Sequence, residues 1–141
     1  MQNEKILNFT DLKVWQLGHQ IVLKVYALSK TFPREELFGL VAQIRRAAVS
    51  ITSNIAEGFS RSTAKDKVYF YAVSLGSLTE VQNQLLIARD LGYISAGEYA
   101  ELSLKIMETI RMTNGLIKSA KTRGQSLYPY TDTLYFILFK V

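Results

Sequence analysis

Residues 45–58 read RRAAVSITSNIAEG. Two adjacent arginines and a glutamate bracket a lean run that carries Ser50, Thr52, Ser53 and Asn54. Ala48, Ile51 and Ile55 nevertheless stand at spacings of three and four, and upstream the stripe continues through Ile44, Val41 and Leu37. That alternation is the period of an α-helix with one apolar face. It predicts a helix from about Glu36 to Glu57, stopped by Gly58.

With Ile44 and Ile51 turned to a core, a rotation of ~100° per residue carries Gln43, Arg46, Ala47, Ser50, Asn54 and Glu57 to a second face. Solvation explains why that face is polar. It does not explain why long charged side chains are missing between Arg46 and Glu57. Small residues let another backbone approach, and serine or asparagine can bond across helices. A second stripe, Val73, Gly76, Ser77 and Glu80, lies off the apolar face of the next helical stretch. Together they favour packing beyond one bundle, with Ser50 and Asn54 in an oligomer interface.

Three further helical stretches flank this one. The first runs from about Asp11 to Ser29 with Val14, Leu17, Ile21, Val25 and Leu28 on one side, capped by Thr10 or Asp11. Pro33 then disfavours helix at Phe32. The third follows the loop GFSRST, with Thr63 and Asp66 as a capping box, and turns Val68, Tyr71, Leu75, Leu78, Gln82, Leu85 and Leu86 one way. Gly92 suits a left-handed cap. Ser95 and Glu98 open a fourth helix that runs to about Lys121 on the stripe Tyr99, Leu102, Ile106, Ile110, Thr113 and Ile117. Short links favour antiparallel neighbours, so the expected fold is all-α: an up-down-up-down four-helix bundle over residues 1–123. Residues 124–141 form a C-terminal tail, extended or disordered, whose apolar run Leu134–Phe139 reads as a strand or docking arm where it is ordered.

The 141 residues are those of one domain, and 48% hydrophobic with 21% charged content is globular. No cysteine is present, which excludes disulfides and thiolate metal sites. The start MQNEKILNFTDLKVW has no signal-peptide core, and no apolar run reaches the ~18 residues of a membrane span. A cytoplasmic location without membrane contact is expected.

Catalysis has little to stand on. His19 is the only histidine, so neither a histidine metal cluster nor a paired-imidazole mechanism is available. It lies one turn from Trp15 and reads best as packed or solvent-edge. GFSRST lacks the lysine and spacing of a phosphate loop. No enzyme activity, cofactor, metal or small-molecule substrate is expected.

Seventeen Lys and Arg against twelve Asp and Glu give a net charge of +5. Arg111, Lys118, Lys121 and Arg123 cluster late in the fourth helix, with no acid between Glu108 and Asp132. Complementing the helix dipole is the plain reading. The functional one is a phosphate-binding surface, joined by Arg61, Lys65 and Lys67 from the second loop. Tyr69, Phe70 and Tyr71 lie in helical context, where core or interface is a better reading than base stacking.

The string from Gln43 to Gly58, together with GSLTEVQNQL at residues 76–85, resembles the bacterial four-helix-bundle proteins encoded in intervening sequences of 23S ribosomal RNA genes. More distantly, the chain is similar to accessory proteins of diversity-generating retroelements. The resemblance covers about residues 10–120. It implies a bundle that assembles as a homopentameric ring without a demonstrated enzymatic activity, and it marks Arg45, Arg46, Asn54, Glu57 and Gly58 as signature positions. Thr52 stands where such sequences often carry proline, which removes a kink and leaves the bundle intact. The expected partners are RNA or a nucleic-acid enzyme; the rival is a protein-interaction adaptor that never touches nucleic acid.

Overall fold

The computed structural model describes residues 5–125. Its α-helices are α1 (Lys13–Ser29), α2 (Leu40–Ser60), α3 (Ala64–Asp90) and α4 (Ala96–Gln125). Short 3₁₀ turns at Phe9–Asp11 and Arg34–Glu36 precede α1 and α2, and no strand occurs among the described residues. Each helix packs on the next and α4 closes back onto α1, which makes a four-helix bundle. Contacts between α2 and α3 run in opposite directions: Phe59 meets Lys67, Ile51 meets Ser74, and Ser50 meets Ser77. The apolar run Leu134–Phe139 lies outside the described residues.

The core is the set of stripes turned inward. Ile21 and Val25 of α1, Ile44, Ala48, Ile51 and Ile55 of α2, Tyr71, Leu78 and Leu85 of α3, and Leu102, Ile106 and Leu116 of α4 are all buried. The cap chemistry explains why these helices begin where they do. Ser95 Oγ accepts from Glu98 N at 3.0 Å while Glu98 Oε1 accepts from Ser95 N at 2.9 Å, so both partners of the box are satisfied. These bonds, the backbone one foremost, hold the Glu98 carboxyl below its usual pKa. Thr63 Oγ1 accepts from Asp66 N at 3.2 Å at the start of α3. Gly92 turns with φ +78°, the left-handed conformation expected of it.

Four boundaries differ from the sequence expectation. α4 runs to Gln125, past the expected end near Lys121, so the first two residues assigned to the tail are helical. Asn8, not Thr10 or Asp11, supplies the first cap; it accepts from Thr10 N at 2.9 Å and so nucleates the 3₁₀ turn before α1. The second helix starts at Leu40 because the chain after Pro33 first makes the turn Arg34–Glu36, whose Glu36 Oε2 accepts from Leu40 N at 3.0 Å. Gly58 does not end α2, which continues to Ser60. It is a packing glycine: a methyl group there would lie 2.5 Å from Tyr71 Cε1.

Candidate functional site

The signature helix divides its polar residues among three surroundings. Arg45 turns toward α1, where its Nε donates to Ser29 Oγ at 2.8 Å and its guanidinium lies 4.6 Å from the centre of the Tyr26 ring. Arg46 is exposed. Ser50 and Asn54 are half-buried against α3 of the same chain. Asn54 Nδ2 donates to Ser50 O at 2.8 Å and to Ser50 Oγ at 3.0 Å, while the Ser77 hydroxyl donates to Ser50 Oγ at 2.7 Å. One turn away, buried Ser74 donates to Ile51 O at 2.9 Å.

The lean composition of this helix therefore has a use within the chain, since hydroxyls fill and bond a close α2–α3 contact. Ser77, expected on an outward stripe, is buried in that contact. Val73, Gly76 and Glu80 are exposed as expected, and a methyl group added to Gly76 would meet nothing within 4 Å. The surface left open by α2 includes Gln43, Arg46, Val49, Ser53 and Glu57, and on α3 Tyr69 and Val73 are likewise exposed. Further along α3, Gln84 is 7% exposed and its Oε1 finds no hydrogen-bond partner among the described residues. Sequence pattern gave no signal for that orphan, because Gln84 sits between two positions of a regular stripe.

The end of the bundle that carries the α2–α3 loop gathers most of the candidate cations. The last turn of α4 approaches the first turn of α3 so closely that a methyl group on Gly124 would lie 2.6 Å from Ala64 Cβ. Two basic stretches far apart in sequence thus meet. The side chains of Lys65, Arg111, Lys118 and Lys121 are exposed and make no hydrogen bond or ion pair among the described residues. Arg61 is committed elsewhere, paired with Glu57 and lying 4.7 Å above the Phe70 ring.

Lys67 turns inward, contrary to its expected place on a phosphate-binding surface. Its Nζ donates to Phe59 O at 2.8 Å and Gly58 O at 3.2 Å, carbonyls of the last turn of α2, of which Gly58 O also accepts from Arg61 N at 3.3 Å. Burial pushes its pKa below the ordinary 10.5, and the charge of Arg123 lowers it further. Lys67 and Arg123 share a cleft of about 380 Å³ with Phe59, Tyr71, Leu116 and Ile6. Nothing in the sequence marked this cleft, because it depends on where Gly124 lands beside Ala64.

The remaining candidates read plainly. His19 stacks on Trp15 with ring centres 4.8 Å apart. Of the three adjacent aromatics, Tyr71 enters the core, Phe70 is half-buried and Tyr69 is exposed against the edge of Phe70. Among the described residues no group of three His, Cys, Asp or Glu could hold a metal ion, and no helix is long and apolar enough to cross a membrane.

Fold and site together define a helical bundle with a packed serine seam and a basic end. The pattern of the 23S rRNA-intervening sequence protein family matches residues 10–115, the greater part of the chain. The chain belongs to that family. No curated protein matches it.

Proposed function

We propose that this chain is a non-enzymatic bundle protein of the cytoplasm that assembles as a homo-oligomer and engages RNA through its basic end. The carrying observation is the exposed set Arg111, Lys118 and Lys121, joined by Lys65 across the close approach of Gly124 to Ala64. The three α4 residues fall within one ~80° arc, spread over about 15 Å of helix axis. A linear row of cations without intervening acid suits the phosphates of a strand better than a single acidic side chain. Membership of a family named for a 23S rRNA intervening sequence adds the nucleic-acid context.

Oligomerisation rests on the open surface of Arg46, Val49, Ser53, Val73 and Gly76, and the homopentameric ring is the family's implication. Repeating the basic end around a ring would multiply the field that each protomer offers. Purification at low salt tests the reading. Nuclease-sensitive nucleic acid should accompany an oligomer and be lost when Lys65, Lys118 and Lys121 are changed to glutamine. A protein partner recovered without nucleic acid would favour the adaptor reading, and a monomer by light scattering would remove the ring.

A further inference from the structure

The outer face of α4 changes character along its length. At ~100° per residue, Ala100, Leu104, Met107, Arg111, Asn114 and Lys118 share one arc of about 80°, and all are exposed. The first half of this arc is apolar: Leu104 is 69% exposed and Met107, one turn on, is 58% exposed. The second half is cationic, through Arg111 and Lys118, and no acid lies on the arc. The helix ends at Gln125, so the chain that follows sets out from the cationic half.

Residues 126–141 lie outside the described residues, but their sequence and length match that face in order. Asp132 is their only acid, and two residues after it begins the uncharged apolar run Leu134–Phe139. A run of this composition is an aggregation hazard when uncovered. Measured back along α4 from Gln125, Arg111 lies ~21 Å away, Met107 ~27 Å and Leu104 ~32 Å. Seven residues of chain carry Asp132 up to about 25 Å from Gln125, and nine carry Leu134 up to about 32 Å. A reversal of direction takes a few residues from both reaches. Asp132 then comes level with the cations, and the run comes level with Met107 and Leu104. The exposed Phe38 and Leu91 stand by the far connections, ~44 Å along the bundle, beyond the reach of Leu134.

We propose that the Leu134–Phe139 run docks on the outer face of α4 of its own chain, covering Leu104 and Met107, with Asp132 set against Arg111 and Lys118. Removal of apolar surface from water drives the docking, and the opposite charges fix its direction. The inference stands apart from the RNA and ring readings, because its test measures neither RNA affinity nor copy number.

The chain has no cysteine, so one nitroxide can be attached at a chosen position. In the full chain labelled through Ala100→Cys, the methyl NMR signals of Leu134, Ile137 and Leu138 should broaden strongly, although Ala100 lies ~37 Å from Gln125. A label at Ser53→Cys on α2, diagonally across the bundle, should leave them sharp. Changing both Leu104 and Met107 to serine should weaken docking roughly tenfold or more and remove most of the broadening. Circular dichroism should stay at the wild-type signal, since both side chains are exposed. Asp132→Lys should weaken docking roughly threefold. Nitroxide-labelled chains mixed with isotope-labelled chains that carry no nitroxide should give no broadening, because each run stays on its own α4. The proposal is overturned by sharp signals with the Ala100 label, by equal broadening from Ser53, or by broadening unchanged in the double serine or Asp132→Lys chain. Broadening in the mixed sample overturns it too, by placing the run on another copy.

Discussion

Two glycines show how much a single position can depend on what surrounds it. Gly58 lies in the last turn of α2, where an added methyl group would meet the ring of Tyr71 at 2.5 Å. That ring is 1% exposed and held by the core, so it has little room to yield. Gly58→Ala gains about 1 kcal/mol of helix propensity, but overpacking should outweigh it for a net loss of about 1–2 kcal/mol. Gly76 is also helical, yet its surroundings are open. Gly76→Ala should raise stability of an unassociated protomer by up to about 1 kcal/mol. Urea unfolding of both variants checks the opposite signs, and equal shifts in one direction would refute the packing role of Gly58. If assembly uses the α3 surface, Gly76→Ala should also weaken the oligomer, which sizing at several concentrations reads separately.

At the scale of elements, caps and seams carry the pH and packing behaviour. The depressed pKa of Glu98 means that its contribution is fully present above the ordinary carboxylate range and is lost as pH falls through the lowered value. Glu98→Gln should therefore melt below the wild type at neutral pH, with the gap closing as the solution becomes strongly acid. A gap that stays constant down to acid pH would contradict the capping box. On α3, Gln84 Oε1 is buried without a partner among the described residues. Gln84→Leu should be neutral or stabilising by about 1 kcal/mol, because the desolvation cost of an unmade bond disappears; a clear loss in chemical unfolding would show that a donor reaches it. Helix identity was legible here because Ile44, Ile51, Leu78 and Ile106 recur at helical spacing and Ser95 with Glu98 punctuates them. The seam was legible only in part. The pattern placed Ser50 and Asn54 off the main stripe, but it could not say that Ser77 faces them within the same chain. That depends on the register of two antiparallel helices, to which a one-dimensional period is blind. Lys67 was misplaced for a related reason: its carbonyl partners at the end of α2 come into reach only once the short loop has folded back.

At the scale of the molecule, positive charge is concentrated at one end. The basic end combines residues from α3 and α4, whereas at the α1–α2 and α3–α4 connections Glu35, Glu36, Asp90 and Glu98 are interleaved with Lys30, Arg34 and Arg89. A one-ended excess of cations orients a bundle on a polyanion. Asn54→Leu should disturb assembly more than helix content, because its bonds to Ser50 lie within one turn of α2 at the margin of the open surface. Circular dichroism with light scattering decides this, and lost helicity with an intact oligomer would contradict it. The most direct test of RNA engagement through the basic end is the salt dependence of RNA affinity, measured by fluorescence anisotropy on a labelled strand. For the wild type, log affinity should fall linearly with log salt concentration. Changing Lys65, Lys118 and Lys121 to glutamine should flatten that slope by about 1 per phosphate contact removed. An affinity indifferent to salt, or a slope unchanged in the triple variant, would contradict the assignment of this surface to RNA.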